Sequence, residues 1–223
     1  MTEERYLDAM ITTYCPKQCK RCISGSSPEK NTFLPVENFK SVIKGRDYKY
    51  VVFTGGEPTA HPQFNEFLDS LNFRVPFCTV YTNGYLTKVV YNEADAVDFD
   101  ASIEETAGVL PYLGNFTEIK ISLNRELIRQ DPLHFVKLAI LTKAVKKKEG
   151  KVGYNIAGES VDDIVMLIRE TFGKPVNGMT YQLLGEPEDF SVEEPDKWDI
   201  LLPDRRIIQE DYVSAIREFN LIP

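Results

Sequence analysis

Three of the four cysteines fall within eight residues, Cys15-Pro16-Lys17-Gln18-Cys19-Lys20-Arg21-Cys22, at the spacing C-x3-C-x2-C. Thiolates this close on one stretch make a shared set of soft donors. Such a set suits an iron–sulfur cluster or a zinc ion far better than a hard cation. The count matters as well. A structural zinc site takes four protein ligands in a closed tetrahedron, whereas three leave a position open for chemistry. On a 4Fe–4S cube, three cysteines leave one iron without a protein ligand, ready for a small molecule. Spacing alone keeps zinc open, with Cys78, His61 or His134 as a distant fourth ligand. A disulfide framework fits poorly, since four cysteines among 223 residues are too few for a secreted scaffold.

A second stretch with chemical content is Thr54-Gly55-Gly56-Glu57-Pro58. Two glycines remove the Cβ atoms that would keep a ligand off the backbone. Glu57 adds an anionic acceptor suited to an ammonium group, and Pro58 fixes the exit of the chain. Taken alone, the same residues equally describe a tight turn with a solvated carboxylate.

The elements that must position these stretches alternate between strand and helix. Strands are expected at Tyr6–Thr13, Tyr50–Thr54, Phe77–Tyr81, Ala96–Ile103, Glu118–Leu123, Lys151–Ala157 and Met179–Leu184. The run Tyr50-Val51-Val52-Phe53-Thr54 is continuous enough to suggest a strand covered on both sides. Helices are expected from Pro35 to Lys44 with Val36, Phe39 and Ile43 on one face, after Pro62 with Phe64, Phe67, Leu68 and Leu71 on one face, and around Glu104–Leu113. Another begins at Asp131-Pro132 with a stripe of Leu133, Val136, Ile140 and Ala144. A further one follows Ser160, which with Asp163 approximates a capping box.

Repeated strand–helix units imply parallel strands with right-handed crossovers. They are too few for a closed eight-stranded barrel, so the expected fold is α/β, a partial (β/α)6 TIM-like barrel over residues 1–185. A short C-terminal extension, 186–223, would pack on it. That extension holds three prolines from Glu186 to Pro203 and a last helix at Gln209–Phe219. In such folds the loops after the strands' C-terminal ends build the active site. The cysteine stretch follows the first strand directly, and Gly-Gly-Glu follows the second.

Composition narrows the class. Hydrophobic residues are 43% and charged residues 27%, an ordinary globular balance. No apolar run is long enough to span a bilayer. Met-Thr-Glu-Glu-Arg lacks the features of a signal peptide, so the expected location is cytoplasmic. Lys and Arg total 26 against 34 Asp and Glu, a net charge of −8, which argues against a broad nucleic-acid footprint. The basic run Lys143–Lys151 ends a helix, where the dipole favours cations.

With both stretches in this order, the chain resembles the radical S-adenosylmethionine (SAM) superfamily. The phrase TGGEPTAHPQF and Thr82-Asn83-Gly84 after the third strand carry the likeness further, over roughly Tyr6–Glu170. The resemblance implies that Cys15, Cys19 and Cys22 bind a 4Fe–4S cluster whose open iron chelates SAM. Gly55, Gly56 and Glu57 would receive its amino group. One electron would cleave SAM to methionine and a 5′-deoxyadenosyl radical, which removes hydrogen from a substrate. Asn83 belongs to the third element. Asp100, Ser102, Ser122 and Asn124, at the ends of the fourth and fifth strands, are the ribose candidates. Ile156 would pack on adenine from the sixth strand. Arg21 replaces the family's usual aromatic residue before the last cysteine, so its backbone would face adenine. The sixth-strand segment departs from the family pattern too, with Tyr154 and Val161 at its first glycine and final glutamate.

No side chain is assigned to catalysis itself. Gln182 and Glu186 are candidates for substrate contact, and Cys78 reads as a small buried hydrophobe. His61 reads either as a polar helix-start residue or as one that helps shape the site beside Gly-Gly-Glu-Pro, and His134 carries no assignment. The implied partners are an unidentified substrate, small molecule or protein, and an electron donor such as flavodoxin or ferredoxin, under anaerobic conditions. Narrower alternatives are a glycyl-radical-enzyme activase or a 7-carboxy-7-deazaguanine-synthase-like enzyme. From another class, the alternative is a non-catalytic zinc- or cluster-binding interaction protein.

Overall fold

The computed structural model describes residues 5–20, 22, 24–71, 75–114, 117–183, 198–201 and 207–208. Among them the strands are β1 (Arg5–Thr12), β2 (Tyr48–Gly55), β3 (Phe77–Thr82), β4 (Val90–Tyr91), β5 (Val97–Asp98), β6 (Thr117–Leu123), β7 (Lys151–Gly158), β8 (Met179–Leu183), β9 (Trp198–Leu201) and β10 (Ile207–Ile208). The helices are α1 (Val36–Lys44), α2 (Phe64–Leu71), α3 (Phe99–Val109), α4 (Arg125–Gln130), α5 (His134–Lys147) and α6 (Val161–Phe172), with a 3-10 turn at Pro58–Ala60. The chain divides into two compact units, residues 1–81 with 185–223, and residues 82–184.

In the first unit β1 pairs in parallel with β2, and β2 with β3, in a register that sets Ala9 against Phe53 and Phe53 against Val80. Period-two alternation then sorts the side chains. Leu7, Ala9, Ile11, Val51, Phe53, Cys78 and Val80 share one face and are fully or almost fully buried. The helices cover that face. The ring of Phe53 lies 5.2 Å from Phe39 of α1 and 5.9 Å from Phe67 of α2, and those two rings are 5.3 Å apart. Val36, Phe39 and Ile43 supply the buried side of α1, and Phe64, Phe67, Leu68 and Leu71 that of α2. Both stripes are the ones the sequence predicts.

The opposite face is not an apolar layer. It carries Tyr6, Asp8, Tyr50, Thr54 and Thr79 among Met10 and Val52. The Thr54 hydroxyl donates to Asp8, and the Tyr50 and Thr79 hydroxyls lie 2.5 Å apart. β2 is covered on both sides at Val51, Val52 and Phe53, as expected, but the second side is lined largely by polar groups. Val52 fills a gap in the polar side of the alternation and makes the run look uniform.

Two strands extend this unit at β1. β9 pairs with β1 in parallel, from Tyr6 against Trp198 to Ala9 against Leu201, and β10 pairs with β9 antiparallel. No strand is expected there from the sequence. The helix expected at Gln209–Phe219 lies outside the described residues.

In the second unit β6, β7 and β8 are parallel neighbours, and β4 and β5 form a small antiparallel pair. Helices again lie on one face. The ring of Tyr154 is 4.7 Å from Phe172 of α6, and its hydroxyl is 3.1 Å from that of Thr142 in α5. A Cβ on Gly158 would stand 2.9 Å from Ile164. Tyr154, Ile156 and Gly158 thus point toward the helices. Asn155 points the other way, with Ser122 opposite it in register.

Expectations in this unit are corrected, among them the helix around Glu104–Leu113, which runs from Phe99 to Val109. Ala96–Ile103 is not a strand: only Val97–Asp98 is extended, because the Asp98 side chain accepts from Ala101 N–H at 3.0 Å and starts α3. β6 and β7 are consequently the fourth and fifth long parallel strands of the chain, not the fifth and sixth. α4 was not foreseen; Asn124 starts it by accepting from Leu127 N–H at 2.8 Å. α5 begins at His134, later than Pro132, since Asp131 accepts from Leu133 N–H. Its buried side is His134, Leu138, Leu141 and Val145, with Ile140 and Ala144, in place of a stripe starting at Leu133 and Val136.

Candidate functional site

The cysteine loop leaves β1 under several restraints. Tyr14 N–H donates to the Thr12 hydroxyl at 2.9 Å, and Thr13 N–H to the Thr32 carbonyl at 3.0 Å. Cys15 N–H reaches the Ser27 carbonyl at 3.2 Å, and Gly25 N–H reaches that of Cys22 at 3.0 Å, so the loop doubles back. On its rim Gln18 donates to Glu29 at 2.9 Å. Cys15 is buried, Cys19 and Cys22 are half-buried, and none of the three is in a disulfide.

Burial pushes the Cys15 thiol up to about 12, and charge on Glu57, Cys22 and Cys19 pushes in the same direction against a lowering hydrogen bond from the Lys17 backbone. The three sulfurs and one carboxylate therefore share a neighbourhood. Crowded thiolates away from water are costly until a cation neutralises them, and iron or zinc binding does that. Among the described residues, no three His, Cys, Asp or Glu side chains form a set that could hold a metal ion as they stand.

The end of β2 lies directly against this loop. Gly56 N–H donates to the Thr12 carbonyl and Glu57 N–H to that of Tyr14, both at 2.7 Å. Gly55 has φ +120°, and a Cβ on it would stand 2.2 Å from the Thr12 oxygen. One on Gly56 would stand 2.0 Å from the Tyr14 oxygen. What occupies the space beside the glycines is thus the backbone of the cysteine loop. Glycine is needed here for the two chain segments to meet. Glu57 is only 1% exposed and accepts from Thr59 N–H at 3.1 Å and from the Thr59 hydroxyl, capping the 3-10 turn. It is a fixed, buried acceptor, and the alternative of a solvated turn carboxylate is excluded.

The proposed fourth zinc ligands are otherwise engaged. His61 accepts from Gln63 N–H at its Nδ1, 3.0 Å, which leaves Nε2–H to donate to the Leu34 carbonyl at 3.0 Å. Its ring packs edge-on against Phe33 and Phe67, and burial holds its pKa down. Cys78 is buried on the helix-covered face of β3, where desolvation raises its thiol pKa. His134 bonds through Nε2 to the Ser122 carbonyl at 3.0 Å.

The second unit holds the remaining candidates. Asn83 is buried just after β3, where the Thr82 hydroxyl accepts from Gly84 N–H at 3.0 Å. Ser122 is half-buried on the face of β6 that the helices leave bare, and Asn124 caps α4. Asp100 is exposed in the first turn of α3. Ser102 is corrected: it lies within α3, fully buried, donating to the Asp98 carbonyl at 2.6 Å and accepting from Val90 N–H at 2.8 Å. It ties β4 to the helix and is not a strand-end hydroxyl. Ile156 is corrected too: its side chain is fully buried on the helix side of β7, and Asn155 is the neighbour on the bare face. Arg21, Glu186 and the side chain of Gln182 lie outside the described residues.

Asp8, Tyr50, Thr54 and Thr79, the polar residues of the face opposite the helices, carry no assignment from the sequence. For Asp8 the signal lies in β1, where Tyr6, Asp8 and Met10 alternate with Leu7, Ala9 and Ile11.

The profile of the Radical SAM superfamily matches residues 10–124, from within β1 through β6, and so takes in the cysteine loop and the Gly-Gly-Glu segment. The chain belongs to the radical SAM superfamily. Members of this superfamily are enzymes that use a 4Fe–4S cluster and SAM, and three soft donors beside a glycine-lined strand end fit those cofactors. No curated protein matches the chain. Among solved structures it is similar to Streptococcus suis SuiB, at TM-score 0.55 and 14% identity over 97% of this chain and 45% of that one. SuiB bound to S-adenosylmethionine gives 0.52 and 16%, over 83% and 40%. Native anSMEcpe with bound AdoMet and Cp18Cys peptide gives 0.52 and 14%, over 82% and 51%. The chain spans about half the length of these proteins or less. What it shares with them is the α/β fold of mostly parallel strands alternating with helices.

Proposed function

We propose that this chain is a radical SAM enzyme that takes hydrogen from a substrate resting on the polar strand face beside its cysteine loop. The observation that carries the reading is the contact between the end of β2 and that loop, with Gly56 and Glu57 N–H groups bonded to the Thr12 and Tyr14 carbonyls. It sets the Gly55-Gly56 segment and a buried carboxylate against the loop that carries three cysteines. Cys15, Cys19 and Cys22 would hold the cluster, and Gly55, Gly56 and Glu57 the amino group of SAM. The bound cofactors supply one-electron cleavage of the sulfonium. The chain's own part is to seat them and keep water away. Thr59 fixes the Glu57 carboxylate before any ligand arrives, which lowers the entropy cost of binding an ammonium group. Asp8, held by Thr54 one residue before Gly55, offers a second buried acceptor, suited to a donor group of the substrate. In the second unit, Ser122 and Asn155 are polar residues on the bare strand face, and Asn83 follows β3. Flavodoxin or ferredoxin as electron source, a cytoplasmic location, and residues 186–223 as an extension of one barrel domain belong to the same reading. No helix among the described residues is long and apolar enough to cross a membrane.

Anaerobic reconstitution with iron and sulfide, followed by dithionite and SAM, tests it. Iron-loaded protein should yield 5′-deoxyadenosine, and Cys19→Ala should abolish it. An iron-loaded chain that neither forms the product nor binds SAM overturns the proposal. Stoichiometric zinc without affinity for SAM would favour the non-catalytic reading.

A further inference from the structure

The cysteine loop carries two serines that the cofactor assignments leave unused. The Ser24 hydroxyl lies 3.2 Å from the Cys22 sulfur and 2.8 Å from the Ser26 hydroxyl. Both serines are buried, 7% and 5% exposed. The turn that brings Ser24 back over Cys22 is closed by Gly25 N–H on the Cys22 carbonyl, with Gly25 at φ +55°. In the free thiol, either member of each pair can be the donor. Metal ligation removes that freedom, because a thiolate bound to iron has no proton and can only accept. Ser24 has one hydroxyl proton, so it must turn toward the sulfur. The Ser24 oxygen then accepts from Ser26.

We infer that Ser26 and Ser24 form a one-way hydrogen-bond relay that withdraws electron density from the Cys22 sulfur and sets the potential of the cluster. The inference rests on the cluster reading and adds a function for these two hydroxyls. Hydrogen bonds to ligand sulfurs are one of the protein's controls over iron–sulfur potentials, since they stabilise the more electron-rich reduced state. Serial hydroxyls polarise each other, so Ser26 strengthens the donor that touches sulfur without touching it itself. Ser24 is thus a positioning and tuning residue, with no contact to substrate required.

The test is a potentiometric titration, followed by electron paramagnetic resonance, of the anaerobically reconstituted chain and its variants. Ser24→Ala should shift the midpoint to more negative potential, and Ser24→Thr, which keeps the hydroxyl, should restore it most of the way. Ser26→Ala should give a smaller shift of the same sign. Coincident midpoints for Ser24→Ala and the unmodified chain overturn the relay, as do equal shifts in Ser24→Ala and Ser24→Thr. Should Ser24→Ala fail to retain iron, Ser26→Ala decides, and an unshifted midpoint in it overturns the relay. An unmodified chain that takes up iron but shows no 4Fe–4S signal overturns the cluster reading and the relay with it.

Discussion

The Glu57 carboxylate shows how a single residue joins structure to binding. Buried beneath its own cap, it is held by Thr59 through two hydrogen bonds. Glu57→Gln keeps an acceptor for the cap and removes the charge. Hydrogen bonds to charged groups are worth about 1.5–3 kcal/mol, so SAM affinity should fall by roughly 10- to 100-fold by calorimetry while iron content stays. Unchanged affinity would remove Glu57 from the site. His61 makes a different statement. Its Nδ1 already accepts from Gln63 and its folded pKa lies below the ordinary imidazole value. The unfolded chain therefore binds the proton more readily, and stability rises with pH across that window. Unfolding free energy should drop as pH falls through about 6.5, and drop less in His61→Gln. Parallel pH profiles for the two proteins would refute the assignment.

Elements carry the next level of argument, and the junction of β2 with the cysteine loop is the most demanding of them. Gly56→Ala places a methyl group 2.0 Å from the Tyr14 oxygen, which is backbone and cannot move alone. The expected cost is about 1–3 kcal/mol or more, measured by urea unfolding, with iron uptake falling in parallel. Normal stability would mean that the two segments separate freely. This junction also shows what was legible in the sequence. The cysteine spacing and the glycine pair were both visible, as were β1, β2, β3, β6 and β7 and the stripes of α1 and α2, because local pattern decides them. The partner of the glycines was not, since nothing local says whether a ligand or a second backbone fills the missing Cβ space. The false strand at Ala96–Ile103 has a related cause: an apolar-polar run of eight residues fits two periods, and the Asp98 cap settled it for helix. Ile156 failed on parity. A strand face is fixed by register with its neighbours and by what packs on each side, and Tyr154 against Phe172 supplies that information only in three dimensions.

At the scale of the whole molecule, the segment after residue 185 contributes to the unit that bears the cysteines. β9 supplies backbone partners to Tyr6, Leu7, Asp8 and Ala9 in β1. Ending the chain at residue 185 would expose that edge, and unpaired edges template aggregation. The shortened protein should appear in the insoluble fraction or as multimers by light scattering, with lower iron uptake. A monomeric, fully loaded truncation would show that β9 is dispensable.

The pairing of β1 with β9 also imposes an order of events during synthesis. At about 5–20 residues per second, a ribosome takes roughly 10–40 s to travel from β1 to β9. Throughout that interval the cysteine loop hangs from a strand whose outer border is still unwritten. Cofactor delivery in the cell should therefore follow the synthesis of β9, and ribosome-bound nascent chains lacking β9 should carry little or no iron.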